Sequence, residues 1–139
     1  MTDDERQAIE RCRGKYVWSI TPYYASLMDR HDPACPIRRQ AVPAGGEFEV
    51  FRNASVDPVD DTVYRKTNRV VHKYPDRVIV LCTDQCPVYC RHCTRKYHTT
   101  DLTGTYFGEG EGESWEPDFD YIARTPAIRD VLQIGRAHV

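Results

Sequence analysis

"RVIVLCTDQCPVYCRHCTRK", residues 77–96, begins as a buried strand and ends as a cluster of thiols. Apolar residues run unbroken from Val78 to Cys82, which suits a strand buried on both faces, as in a parallel sheet. The turn signal "YPD", residues 74–76, stands just before it. The cysteine loop follows the strand directly. Downstream, "PDFDYIAR" reads as a helix, with Pro117 in its first turn and Phe119, Ile122 and Ala123 at helical spacing. "RDVLQI", residues 129–134, reads as a second short strand. The order strand, loop, helix, strand is a βα unit that calls for more units.

Upstream the signals are helical. Thr2 and Glu5 have the spacing of a capping box, and Ala8, Ile9 and Cys12 share one face. Thr21-Pro22 is a cap followed by a favoured first helical residue. Asp32-Pro33 repeats that signal, but Pro36 limits it to a short turn of helix. Residues 43–61, rich in Pro, Gly and Asp, read mostly as loop. "TGTYFGEGEGESWEP", residues 103–117, reads as a surface insertion, and Glu109, Glu111, Glu113 and Glu116 as a solvated acidic run.

Composition narrows the function classes. The chain has 139 residues, 40% apolar and 29% charged, with a net charge of −2. That is the size of one domain and the balance of a globular protein. The charge offers no footprint for nucleic acid or an anionic membrane. The longest apolar run is far too short to span a bilayer. The acidic start "MTDDERQAIER" lacks the apolar core of an export signal, so the expected location is the cytoplasm. Thiols there are seldom paired, and the cysteines are read as metal-binding or catalytic before disulfide-bonded.

The loop spacing is Cys86-x3-Cys90-x2-Cys93, with Cys82 four positions earlier. A structural zinc site usually takes two close pairs, and only Cys90 and Cys93 form one here, although Cys82 or a histidine could join. A redox Cys-x-x-Cys leaves two thiols unexplained. A loop of closely spaced thiolates suits an iron–sulfur cluster. Three thiolates on a four-iron cube leave one iron open, and an open position generally signals chemistry. Cys82 ends the apolar run and reads as a packed thiol, with a fourth ligand as the alternative. Cys12 and Cys35 read as packing residues.

Cys-x3-Cys-x2-Cys resembles the signature of radical S-adenosylmethionine enzymes. The stretches "TPYYASLMD", "DPACPIRRQAVP", "HKYPDRVIVLCTDQCPVYCRHCTRK" and "YIARTPAIRDVL" together resemble the lysine 2,3-aminomutase family, which includes glutamate 2,3-aminomutases. The resemblance implies an α/β fold, the N-terminal portion of a (β/α) barrel preceded by a helical extension. Barrel enzymes place active sites at the C-terminal ends of their strands, where the cysteine loop falls. It implies a [4Fe-4S] cluster held by Cys86, Cys90 and Cys93, S-adenosylmethionine on the fourth iron, and pyridoxal phosphate. The implied reaction moves an amino group from C2 to C3 of a free amino acid. It runs through a 5′-deoxyadenosyl radical and a substrate imine on pyridoxal phosphate. His92 matches the position that contacts the adenosyl group; the other reading is a histidine that caps the loop. Arg95 matches the arginine that grips the substrate carboxylate, as a guanidinium fork can; the other reading is a solvated arginine beside Arg91 and Lys96. No catalytic residue is assignable. The pyridoxal-phosphate lysine and the groups that hold the substrate side chain are expected beyond this chain. An electron donor such as flavodoxin or ferredoxin and a homo-oligomeric full-length protein are implied too. The alternative class is a small iron–sulfur or zinc protein for binding or electron transfer, using Cys82, Cys86, Cys90 and Cys93.

The expected organisation is a helical and loop-rich extension over 1–75, the start of the barrel over 76–132, and a non-native tail over 133–139. The tail expectation rests on "IGRAHV", whose codons can read ATC-GGA-AGA-GCA-CAC-GTC, resembling a common DNA sequencing adaptor. A truncated barrel would leave the edges of "RVIVLCT" unpaired and the isolated chain poorly folded, aggregation-prone and inactive.

Overall fold

The computed structural model describes residues 1–13, 17–49, 51–99 and 114–135. Its centre is an open three-stranded sheet in the order β1 (Val70–Tyr74), β2 (Arg77–Leu81), β3 (Asp130–Ile134). β1 and β2 form an antiparallel hairpin, with Val70 opposite Val80 and Tyr74 opposite Arg77. β2 and β3 run parallel, with Val78 opposite Val131 and Leu81 opposite Ile134. The βα unit expected from the sequence is therefore present, and barrel closure is not observed among the described residues.

β1 corrects two expectations. Strand structure begins at Val70, before the segment 77–83 read as the first strand. β2 also lies between two partners, so its own edges are paired; among the described residues the outer strands are β1, whose free side carries a bridge from Arg65 to Val71, and β3. The hairpin escaped notice because His72 and Lys73 interrupt the apolar run of "VVHKY".

The pleat of β2 sorts its side chains. Val78, Val80 and Cys82 share one parity and face α6 (Glu116–Ala123). Val70, Val78 and Val80 form the core cluster, against which Cys82, Trp115, Tyr121, Ile122 and Ile128 pack. Phe119, expected at the helix's apolar spacing, is exposed. The inward position belongs to Asp118, which is buried beside Arg69 at 3.1 Å. Ile79 and Leu132, paired in register, occupy the opposite face with Val71.

The N-terminal elements follow their caps. α1 (Asp3–Cys12) has the expected capping box: Thr2 Oγ1 accepts from the Glu5 amide, and Glu5 Oε2 accepts from the Thr2 amide at 2.6 Å. Ala8 and Cys12 are buried. Thr21 caps α2 (Pro22–Ser26) through the Tyr24 amide. α3 (Pro36–Ala41) follows, and Gly45–Phe48 forms a 3-10 turn. α4 (Asp61–Tyr64) and α5 (Lys96–Thr99) are single turns. At the end of β3, Gly135 has φ +86°, and a Cβ there would stand 2.3 Å from the Thr83 carbonyl oxygen. Glycine is therefore required where the ends of β2 and β3 meet. Ile134 belongs to β3, and its carbonyl accepts from the Cys82 amide at 2.8 Å. Most of the Gly- and Glu-rich segment and residues 136–139 lie outside the described residues.

α1 is tied to α3 by a two-pronged ion pair. Arg38 Nε and Nη2 donate to the two Glu5 oxygens, each at 2.6 Å. These hydrogen bonds hold the Glu5 carboxyl at about 2, against an ordinary 4.5, with burial opposing them. The folded pKa lies below the unfolded one, so the pair's contribution is complete above pH 4.5 and fades as pH falls towards 2. Glu5→Gln keeps a residue able to complete the capping box and removes the charge. Wild type should exceed this variant in urea stability by on the order of 2 kcal/mol at neutral pH, and the gap should close across that acid window. A gap independent of pH would show that Glu5 is not held in this pair.

Candidate functional site at the cysteine loop

The loop leaves the C-terminal end of β2 and is strapped down by the N-terminal region. Ile20 and Val88 form an antiparallel bridge. The Thr21 amide donates to the Pro87 carbonyl at 3.0 Å, and the Tyr89 amide donates to the Ser19 carbonyl at 3.2 Å. The Arg91 amide donates to the carbonyl of Gln40 in α3 at 2.7 Å. Side chains repeat the tie. Arg91 Nε donates to Glu47 Oε1 at 2.8 Å, its Nη2 pairs with Oε2, and Lys96 Nζ lies 3.5 Å from Oε2. Burial alone would raise the Glu47 carboxyl, but the Arg91 hydrogen bond and the neighbouring amide and cations hold it below its ordinary value.

Cys86, Cys90 and Cys93 line one small pocket of about 60 Å³ with Val17, Val88, Tyr89, Arg91, Lys96 and Thr99. Burial pushes the Cys90 thiol up, and the nearby Cys93 and Cys86 sulfurs push it further. Cysteines lining one pocket, with aliphatic, aromatic and cationic neighbours, are the donor chemistry of a soft metal or an iron–sulfur group. Among the described residues no three His, Cys, Asp or Glu side chains converge closely enough to hold a metal ion, so the thiols share a pocket without forming a ligand set. Cys82 is elsewhere. It lines a separate cavity with Val80, Trp115, Phe119 and Gln133, and burial pushes its thiol up. Cys12 and Cys35 are buried away from this pocket's lining. His92 is exposed and outside the lining as well.

Arg95 belongs to another space. Its amide donates to Cys93 Sγ at 3.4 Å, which ties it to the loop. Its side chain lines a cavity of about 200 Å³ over the Ile79 and Leu132 face, with Val59, Asp61, Val71, Lys73, Tyr74 and Arg77. There its Nε lies 2.7 Å from Asp61 Oδ2, and its Nη2 donates to Oδ1 at 3.2 Å. The Nε contact is a close charge contact rather than an aligned hydrogen bond. Tyr97 also donates to Asp61 Oδ2, at 3.3 Å. Burial and the Asp61 charge push the Tyr97 phenol up, so it stays a donor. Arg95 is thus a paired, half-buried residue and not a solvated one. Asp61 and Glu47 escaped the sequence reading because an acid in a polar loop looks solvated until its distant arginine is known.

No family model matches the chain. It is 37% identical over 135 residues to the L-lysine 2,3-aminomutase of Acetoanaerobium sticklandii, an alignment covering 97% of this chain and 32% of that protein. A putative L-lysine 2,3-aminomutase of Aquifex aeolicus is 38% identical, over 95% of this chain and 35% of its own length. Across the residues it spans, the chain belongs to the lysine 2,3-aminomutase family. The family resemblance extends to the glutamate 2,3-aminomutase of Clostridioides difficile, 31% identical over 97% of this chain and 31% of that protein. The chain spans about a third of the length of these curated relatives. The family signature read from the loop is therefore accompanied by similarity along nearly the whole chain.

Proposed function

We propose that this chain forms the iron–sulfur and S-adenosylmethionine part of an amino acid 2,3-aminomutase. The observation that carries the reading is the shared pocket of Cys86, Cys90 and Cys93 at the end of β2, with Cys82 in a different cavity. When bound, the [4Fe-4S] cluster and S-adenosylmethionine supply a radical that starts the rearrangement, and pyridoxal phosphate supplies the conjugation that eases it. Cys86, Cys90 and Cys93 are the three thiolate ligands. Val17, Val88 and Tyr89 limit water at the thiols, and Glu47 keeps Arg91 fixed against the loop. His92, on the exposed side of the loop, is the adenosyl contact. Arg95 takes the carboxylate of the substrate, a free α-amino acid, in the cavity beside the loop.

No residue here is assigned to pyridoxal phosphate. A flavodoxin- or ferredoxin-type donor, a homo-oligomeric holoenzyme and a cytoplasmic location complete the proposal. No helix among the described residues is long and apolar enough to cross a membrane.

The test is anaerobic reconstitution with iron and sulfide, then addition of dithionite and S-adenosylmethionine. Methionine and 5′-deoxyadenosine should accumulate together. A colourless protein that binds one zinc ion through four thiols, Cys82 among them, would replace this reading.

A further inference from the structure

The reading of Arg95 as the carboxylate-binding residue leaves its buried partner without a role. We infer that Asp61 is a positioning residue for Arg95, holding the guanidinium side-on so that the rest of its fork is presented to the substrate carboxylate. This rests on the functional reading above. Asp61 takes Nε and Nη2, so Nη1 is the donor left to a ligand in the cavity. An arginine side chain has many rotamers, and fixing it beforehand removes an ordering cost from binding.

The support for Asp61 is itself built. Asp60 adopts the left-handed conformation, φ 58° and ψ 31°, which is uncommon outside glycine. That turn starts α4 with Asp61 directed inward and only 3% exposed. Asp57 Oδ1 accepts the Asp61 amide at 3.0 Å, and Asp57 Oδ2 accepts the Thr62 amide and hydroxyl. Tyr97 steadies the second carboxylate oxygen. Lys73 and Arg77 line the cavity too; Arg77 is paired with Asp76 at 2.9 Å, which leaves Asp61 facing Arg95 and Lys73, and the net positive lining favours an anionic ligand group. A carboxylate there is met by cations, and a ligand that carries only amines is not.

The experiment uses the reconstituted, 15N-labelled chain and follows the Arg95 Nε–H signal, assigned with Arg95→Lys. In wild type this signal should stand apart from the solvent-exposed arginines. It should move saturably with L-lysine and not with cadaverine, which lacks the carboxylate. In Asp61→Asn the signal should rejoin the exposed arginines and the L-lysine midpoint should rise about tenfold, with iron content unchanged. Asp61→Glu should recover part of that loss. A wild-type Arg95 signal among the exposed arginines overturns the inference, as does a wild-type signal that ignores L-lysine. Equal or tighter L-lysine binding by Asp61→Asn also overturns it, and tighter binding would make Asp61 a competitor of the substrate. If Asp61→Asn does not fold, the comparison of wild type with Asp61→Glu decides, and identical midpoints count against positioning. Failure of wild type to assemble a cluster sinks the functional reading, whereas the Arg95 signal still reports on the pair.

Discussion

Cys86→Ala, Cys90→Ala and Cys93→Ala should each abolish the visible sulfur-to-iron absorbance of the reconstituted chain, while Cys82→Ala should keep it. The three residues line one pocket, and Cys82 lines a different cavity with Val80, Trp115 and Phe119. A three-thiolate site that loses one sulfur keeps too few anchors for a cube. The loss should therefore be nearly complete and not graded. Cys82→Ala removes a small packed group and should cost stability only, by about 1 kcal/mol. Iron and acid-labile sulfide assays on the four variants give the answer. Loss of iron in Cys82→Ala would make it a ligand and close the position needed by S-adenosylmethionine.

The second large effect concerns the fold. Asp118→Ala should destabilise the chain by about 3–5 kcal/mol, because it leaves the Arg69 charge in the interior without its carboxylate. Arg69 Nη1 lies 3.1 Å from Asp118 Oδ2 and donates to the Ser114 carbonyl at 3.0 Å. Its guanidinium stacks 4.4 Å over the Trp115 ring. Thr67 Oγ1 donates to the other Asp118 oxygen. This network joins the approach to β1 with the first turns of α6. A loss of this size is a large share of the usual 5–15 kcal/mol of a small domain. Urea unfolding measures it. Asp118→Asn should cost less, and the double replacement Arg69→Met with Asp118→Leu should recover much of the loss, since no charge is then stranded. A cost below about 1 kcal/mol for Asp118→Ala would mean that the pair is solvated.

Those contacts explain what the sequence could reveal. Thr2 with Glu5, Thr21 with Pro22, and the apolar runs of β2 and β3 are local signals, each readable from a few neighbouring residues. The cysteine spacing is local too. Arg69–Asp118, Arg38–Glu5, Arg91–Glu47 and Arg95–Asp61 each join residues more than thirty positions apart. Each partner alone looks like an ordinary surface charge. The same limit misplaced the inner face of α6: Phe119 looked apolar enough to be inside, while Asp118 is inside because Arg69 waits there. β1 was missed because its polar residues, His72 and Lys73, interrupt a run that the hairpin with β2 makes structural.

The two neighbours of β2 differ in what they require of the chain. β1 is joined to it by a two-residue turn, and such a hairpin forms within microseconds. β3 can pair only after the whole connection from Cys82 to Arg129 has been drawn closed, against a loss of chain entropy that the hairpin never faces. Ser19, Gln40 and Glu47 must also arrive from far upstream before the cysteine loop is strapped down. Contacts of such separation form slowly. The thiols of Cys86, Cys90 and Cys93 should thus be among the last groups to be walled in as the chain folds. On the proposed function, that is the interval in which an iron–sulfur unit would be delivered, and the thiols would then be equally open to oxygen.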